Sequence, residues 1–65
     1  MKFTQSTQLA TLRKAKHVSQ RELAERLGVK QPVISRIESG RHVPSIQFVI
    51  RFLNALGYAL EVKDE

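Results

Sequence analysis

Arg13, Lys14, Lys16, Arg21, Arg26, Lys30, Arg36 and Arg41 lie between residues 13 and 41, where only Glu22, Glu25 and Glu38 oppose them. Their surplus alone equals the net charge of the whole chain, +5. The last eight residues reverse the sign, with Glu61, Asp64 and Glu65 against Lys63. Cations gathered at one end do the chemistry of ion pairing and hydrogen bonding to a polyanion. Covalent catalysis is not indicated. His17 and His42 are predicted in loops, cysteine is absent, and Glu22 with Glu25 is the one acidic pair, on a helix face. These residues supply no nucleophile with its base and no metal set, so the expectation is a protein that is not an enzyme and has no cofactor, metal or small-molecule ligand.

The elements that would carry these cations are legible from their punctuation. Ser19 and Glu22 form an S-x-x-E capping box, which predicts a helix start. Leu23, Ala24 and Leu27 follow at helical spacing, and Gly28 ends the helix where a residue without a β-carbon is favoured. A second helix begins after Val29 and Lys30, with Pro32 in its first turn, where the missing amide hydrogen costs nothing. Val33, Ile34 and Ile37 are its apolar positions, and Ser39 and Gly40 close it. A connection of three or four residues forces the two helices to cross steeply, as in a helix-turn-helix. A helix that projects past its scaffold in this way can enter the major groove of DNA.

Two further helices complete an all-α, four-helix fold. Leu9, Leu12 and Ala15, with Phe3, make an apolar stripe before Ser19, with Ser6 or Thr7 as its cap. Pro44 and Ser45 mark the start of a helix whose apolar face is Ile46, Val49, Ile50, Phe52, Leu53 and Leu56, ending at Gly57. Beyond Gly57, Tyr58, Leu60 and Val62 alternate with Ala59, Glu61 and Lys63, the period of a β-strand. Three placements stand open for it: pairing with Lys2 to Thr4, packing as an extended tail on its own bundle, or pairing with the same strand of a second copy about a twofold axis. The last is favoured, because 65 residues bury too little surface to be more than marginally stable alone. The division is residues 1–57 for DNA binding and 58–65 for dimerisation, with Tyr58, Leu60 and Val62 at the interface. Absence of cysteine, of a membrane-length apolar run and of a signal-peptide core leads to the expectation of a soluble, cytoplasmic protein.

Residues 9 to 57 resemble the helix-turn-helix family of phage repressors and Cro proteins, the XRE family. Its signature is matched at Ser19, Gln20, Leu23, Ala24, Gly28, Val29, Gln31, Ile34, Ser35, Glu38, Gly40, Pro44 and Ser45. The expected fold is therefore lambda-repressor-like. The segment ALGYALEV is similar to HipB-type antitoxins, in which the C-terminal strand pairs between protomers. The resemblance implies that Gln20 opens helix two at a phosphate and braces the recognition helix. Gln31 becomes the first reading residue, and a glutamine amide matches N6 and N7 of adenine. Ser35 and Arg36 stand one turn deeper; the arginine can pair with guanine or grip a phosphate, and is assigned to a base. Pro32 departs from the small polar residue of many relatives, and either touches a thymine methyl or merely starts the helix. Lys30, Arg41 and His42 are expected on backbone phosphates. Glu38 with Arg13, and Ser19 with Gly28, are expected to serve the fold.

These features lead to the expectation of a homodimeric transcriptional repressor on a palindromic operator of double-stranded DNA, with recognition helices about 34 Å apart. The narrower resemblance adds a toxin partner, a HipA-like kinase encoded beside it. Two other readings stand beside this one: a phage or restriction-modification regulator with no protein ligand, and a protein-interaction module that binds DNA only non-specifically.

Overall fold

The computed structural model describes residues 6–58, and the sequence's punctuation divides them into α1 (Ser6–Ala15), α2 (Gln20–Leu27), α3 (Gln31–Glu38) and α4 (Ile46–Ala55). Ser19 and Ser45 have extended backbones, and each Oγ accepts a hydrogen bond from the amide three residues on, Glu22 at 3.0 Å and Phe48 at 3.1 Å. Each thereby satisfies one amide that a first turn leaves unpaired. The expected capping box is made by its serine half; the Glu22 carboxylate turns along the helix, where Oε2 accepts from Arg26 Nη2 at 2.9 Å. Lys30 caps α3 without a side-chain bond, and Pro32 fits its first turn. Ser6 and Thr7 lie inside α1 rather than ahead of it as caps.

All four helices end in the same closure. At each end one residue adopts a left-handed backbone, and two backwards amide bonds tie the chain to the last turn. These bonds run from Gly28 to Glu25 and Val29 to Ala24, from Gly40 to Ile37 and Arg41 to Arg36, and from Gly57 to Asn54 and Tyr58 to Leu53. In α1 they run from His17 to Lys14 at 2.9 Å and from Val18 to Arg13 at 3.4 Å. Gly28 takes φ 73° without steric cost, whereas His17 holds φ 59° with a β-carbon in place. Short closures of this kind keep the turn between α2 and α3 tight, from Gly28 to Lys30.

The core forms where α2 packs on α3 and α4, and α1 packs on α3. Phe52, Leu23, Ile34 and Ile37 are its largest fully buried side chains. Burying each removes apolar surface worth about 1.5–3 kcal/mol relative to exposure. Leu9, Leu27, Val49, Leu53 and Leu56 close the cluster, with Leu12, Val33 and Phe48 packed at its edge. Several expected apolar positions fall elsewhere. Ala15 is exposed, Ile50 is half-buried, and Ile46 at the first turn of α4 is 65% exposed.

Tyr58 does not begin a strand. Its amide closes α4, its hydroxyl donates to the Leu12 carbonyl at 3.1 Å, and Lys16 Nζ stands 4.6 Å from the centre of its ring. The aromatic ring therefore fastens the end of α4 to α1 of the same protomer. Leu60 and Val62, and with them the expected interprotomer strand, lie outside the described residues; among those described there is no strand.

Candidate nucleic-acid interface

A helix reads DNA only if its exposed row is held rigidly from behind, and α3 is held by a buried ion pair. Arg13 Nε donates to Glu38 Oε2 at 2.6 Å, and Nη2 donates to Oε1 at 2.9 Å. The two side chains are only 8% and 6% exposed. Arg13 Nη1 also donates to the Val18 carbonyl at 2.8 Å, so one guanidinium joins α1, the following turn and α3. Two parallel charge-assisted bonds fix orientation as well as distance. No buried side-chain nitrogen or oxygen among the described residues lacks a partner.

This network continues to the surface. Glu38 Oε1 accepts from Gln20 Nε2 at 3.0 Å, and Gln20 Oε1 accepts from Gln31 Nε2 at 3.4 Å. Gln20, half-buried at the start of α2, thus links the ion pair to the first residue of α3. Its bracing role is visible in these bonds.

Gln31, Pro32, Ser35 and Arg36 are all exposed, while Ile34, Ile37 and Glu38 are buried and Val33 is half-buried. Residues one, two, five and six of a helix share a face, so the row anticipated for base contact is contiguous and faces away from the core. Lys30 stands exposed at the entrance to α3. At its exit the amides of Arg41 and His42 both donate to the Arg36 carbonyl, at 2.9 and 3.2 Å. Arg36, Arg41 and His42, with Val33, line a hollow of about 250 Å³. Arg36 is therefore grouped with the two residues assigned to phosphates.

Several features escaped the sequence reading. Val43 is 75% exposed and borders a groove of about 390 Å³ that Ile37, Pro44 and Phe48 also line. Arg26 Nη1 donates to the Ala55 carbonyl at 2.8 Å, and Arg51 Nη2 donates to the Leu27 carbonyl at 3.0 Å. A basic residue near a helix end is a recognisable signal, but here each arginine serves the end of a different helix, which no local pattern reveals.

Among the described residues no group of histidine, cysteine, aspartate and glutamate could hold a metal ion, and no helix is long and apolar enough to cross a membrane.

Comparison with known proteins places this arrangement. The family described as Helix-turn-helix matches residues 9–63. An uncharacterized HTH-type transcriptional regulator of Haemophilus influenzae is 38% identical over 55 residues, 85% of this chain and 56% of the relative. A second uncharacterized HTH-type transcriptional regulator, from Mycobacterium tuberculosis, is 42% identical over 50 residues, 77% of this chain and 36% of the relative. The ImmF control region 10 kDa protein of Bacillus phage phi105 is 38% identical over 50 residues, 77% of this chain and 56% of its own length. The chain thus spans between 36% and 56% of these relatives. No solved structure gives a match. The packed α2–α3 pair with its short connecting turn, its buried Arg13–Glu38 brace and the family match across most of its length agree: this chain belongs to the Helix-turn-helix family.

Proposed function

We propose that the chain is a sequence-specific DNA-binding transcriptional regulator that works as a homodimeric repressor on a palindromic operator. The observation that carries this reading is the exposed row Gln31, Pro32 and Ser35, backed by the bonds from Arg13 through Glu38 and Gln20 to Gln31. A helix so braced presents its amide and hydroxyl to base edges without first losing side-chain freedom, and Gln31 matches the donor and acceptor of adenine. Lys30, Arg41 and His42 supply phosphate contacts on either side, and Gln20 opens α2 toward the same backbone. Dimerisation, through the segment after Gly57, sets two such helices about 34 Å apart.

A selection from random duplexes tests it. The chain should enrich a two-half-site palindrome, and Gln31→Ala should weaken that duplex by about 1–3 kcal/mol per half-site while leaving a scrambled duplex nearly unaffected. Recovery of no consensus sequence would reduce the function to non-specific binding or protein interaction.

The similarity of ALGYALEV to HipB-type segments supports the further role of an antitoxin that holds a HipA-like kinase. A stand-alone phage-type regulator is supported by the phi105 control-region relative. Purification of the tagged chain from its host decides between them: a stoichiometric kinase-like partner establishes the antitoxin, and operator DNA without a partner establishes the regulator.

A further inference from the structure

Tyr58 closes the last helix and also completes the first. The final four carbonyls of a helix have no partner within it, and in α1 they belong to Leu12, Arg13, Lys14 and Ala15. Arg13 accepts from the Lys16 and Val18 amides, Lys14 accepts from His17, and Leu12 accepts from the Tyr58 hydroxyl at 3.1 Å. The α1 terminus is therefore satisfied in part from the closure of α4. Lys16 Nζ, 4.6 Å from the ring centre, holds the phenol against the same turn.

The brace of α3 is rooted in that turn. The Leu12 carbonyl lies in the rigid peptide plane that it shares with the Arg13 amide, so the bond from Tyr58 fixes the plane from which Arg13 departs. The Arg13 guanidinium then binds the Val18 carbonyl and the Glu38 carboxylate. Glu38 holds Gln20, and Gln20 meets Gln31. Tyr58 is thus joined to Gln31 through one peptide plane and the side chains of Arg13, Glu38 and Gln20. The two parallel bonds of the ion pair pass on direction as well as distance.

We infer that Tyr58 is a positioning residue for DNA reading: by capping α1 it sets Arg13, and through Glu38 and Gln20 it sets the angle at which the Gln31 amide meets a base. The inference rests on the reading role proposed above for Gln31 and extends the support of that residue to the far end of the chain's last helix. A hydroxyl that served stability alone would lower the folded fraction and leave the choice between sequences untouched. A positioning hydroxyl alters that choice, because Gln31 acts on base edges, which carry sequence, and phosphates do not.

The test is Tyr58→Phe in the full chain, which keeps the ring beside Lys16 and removes only the bond to Leu12. By fluorescence anisotropy the selected palindrome should bind about two- to fivefold more weakly per half-site, within the range of couplings carried by such networks, and a scrambled duplex should bind as before. In a Gln31→Ala background the same substitution should change neither affinity, since the line then lacks its end. In nitrogen–proton correlation spectra of the free chain, the Arg13 Nε and Gln31 Nε2 resonances should both move. Arg51→Ala, which loosens α2 against α4 at a similar cost in stability, should leave the ratio of the two affinities and both resonances unchanged. Equal loss on both duplexes, an unchanged ratio, additive losses in the double variant or unmoved resonances overturn the positioning role and leave DNA reading intact. A selection that yields no consensus, or a Gln31→Ala variant as selective as its parent, overturns the reading role and this inference with it.

Discussion

Arg26 and Arg51 exchange roles across the α2–α4 contact: Arg26 of α2 donates to the Ala55 carbonyl that ends α4, and Arg51 of α4 donates to the Leu27 carbonyl that ends α2. Each helix thus lends a cation to the other's negative end, where the last carbonyls have no partner of their own. Both arginines are exposed, so solvent discounts the electrostatic part. Arg26→Ala and Arg51→Ala should each lower unfolding free energy by about 0.5–1 kcal/mol in urea titrations.

The buried pair Arg13–Glu38 should respond very differently to single and paired substitution. Glu38→Gln leaves a guanidinium buried without its counter-charge, and a loss of about 3–5 kcal/mol would unfold much of a domain this small at 37 °C. Replacing both, as Arg13→Met with Glu38→Leu, should restore most of the thermal midpoint by circular dichroism. The restored variant should still bind the selected duplex more weakly, because Gln20 has lost its acceptor at Glu38.

His17 stands where the other three closures use glycine, at φ 59°. His17→Gly should therefore stabilise the chain by about 0.5–1 kcal/mol, the relief of the left-handed conformation less the added freedom of the unfolded chain. A β-branched residue there should destabilise it. Thermal midpoints of His17→Gly and His17→Val should move in opposite directions.

Tyr58 ties α4 to α1 through its hydroxyl. Tyr58→Phe should cost about 1 kcal/mol, the ordinary net value of a hydrogen bond, with no change in sedimentation behaviour. Removal of residues 59 to 65 should leave that tie and yield a monomer if the following segment joins two copies. A truncated chain that still sediments as a dimer would move the interface elsewhere.

Arg36→Ala and Gln31→Ala distinguish gripping from reading. Loss of Arg36 should weaken the selected and scrambled duplexes alike and flatten the salt slope by about one contact per copy of the chain. Loss of Gln31 should act mainly on the selected duplex.

What the sequence disclosed was whatever depends on neighbours along the chain. Ser19, Ser45, Gly28 and Pro32 mark helix ends because caps and closures act within a turn, and they fall where those rules place them. Arg13 with Glu38 was legible only by resemblance, since a contact between α1 and α3 has no local signature. The exposure of Ile46 and Val43 was hidden for the same reason: periodicity assigns a face, but where neighbouring helices stop decides how much of that face is covered. Tyr58 was misread because its tie to the Leu12 carbonyl joins α4 to α1, a contact between distant parts of the chain that a period of two cannot reveal.

From the interior outward the bonds that steady α3 lengthen, from 2.6 and 2.9 Å at Arg13, through 3.0 Å at Gln20, to 3.4 Å at Gln31. On the proposed reading, the residue that chooses a DNA sequence is thus the last in this line of bonds. A point mutation at position 31 can alter target preference while the root at Glu38 stays whole, so new operators lie within short evolutionary reach. Single changes at the root cost the fold instead, and divergence among proteins built on this plan should concentrate at the tip of the line while its buried end changes only in pairs.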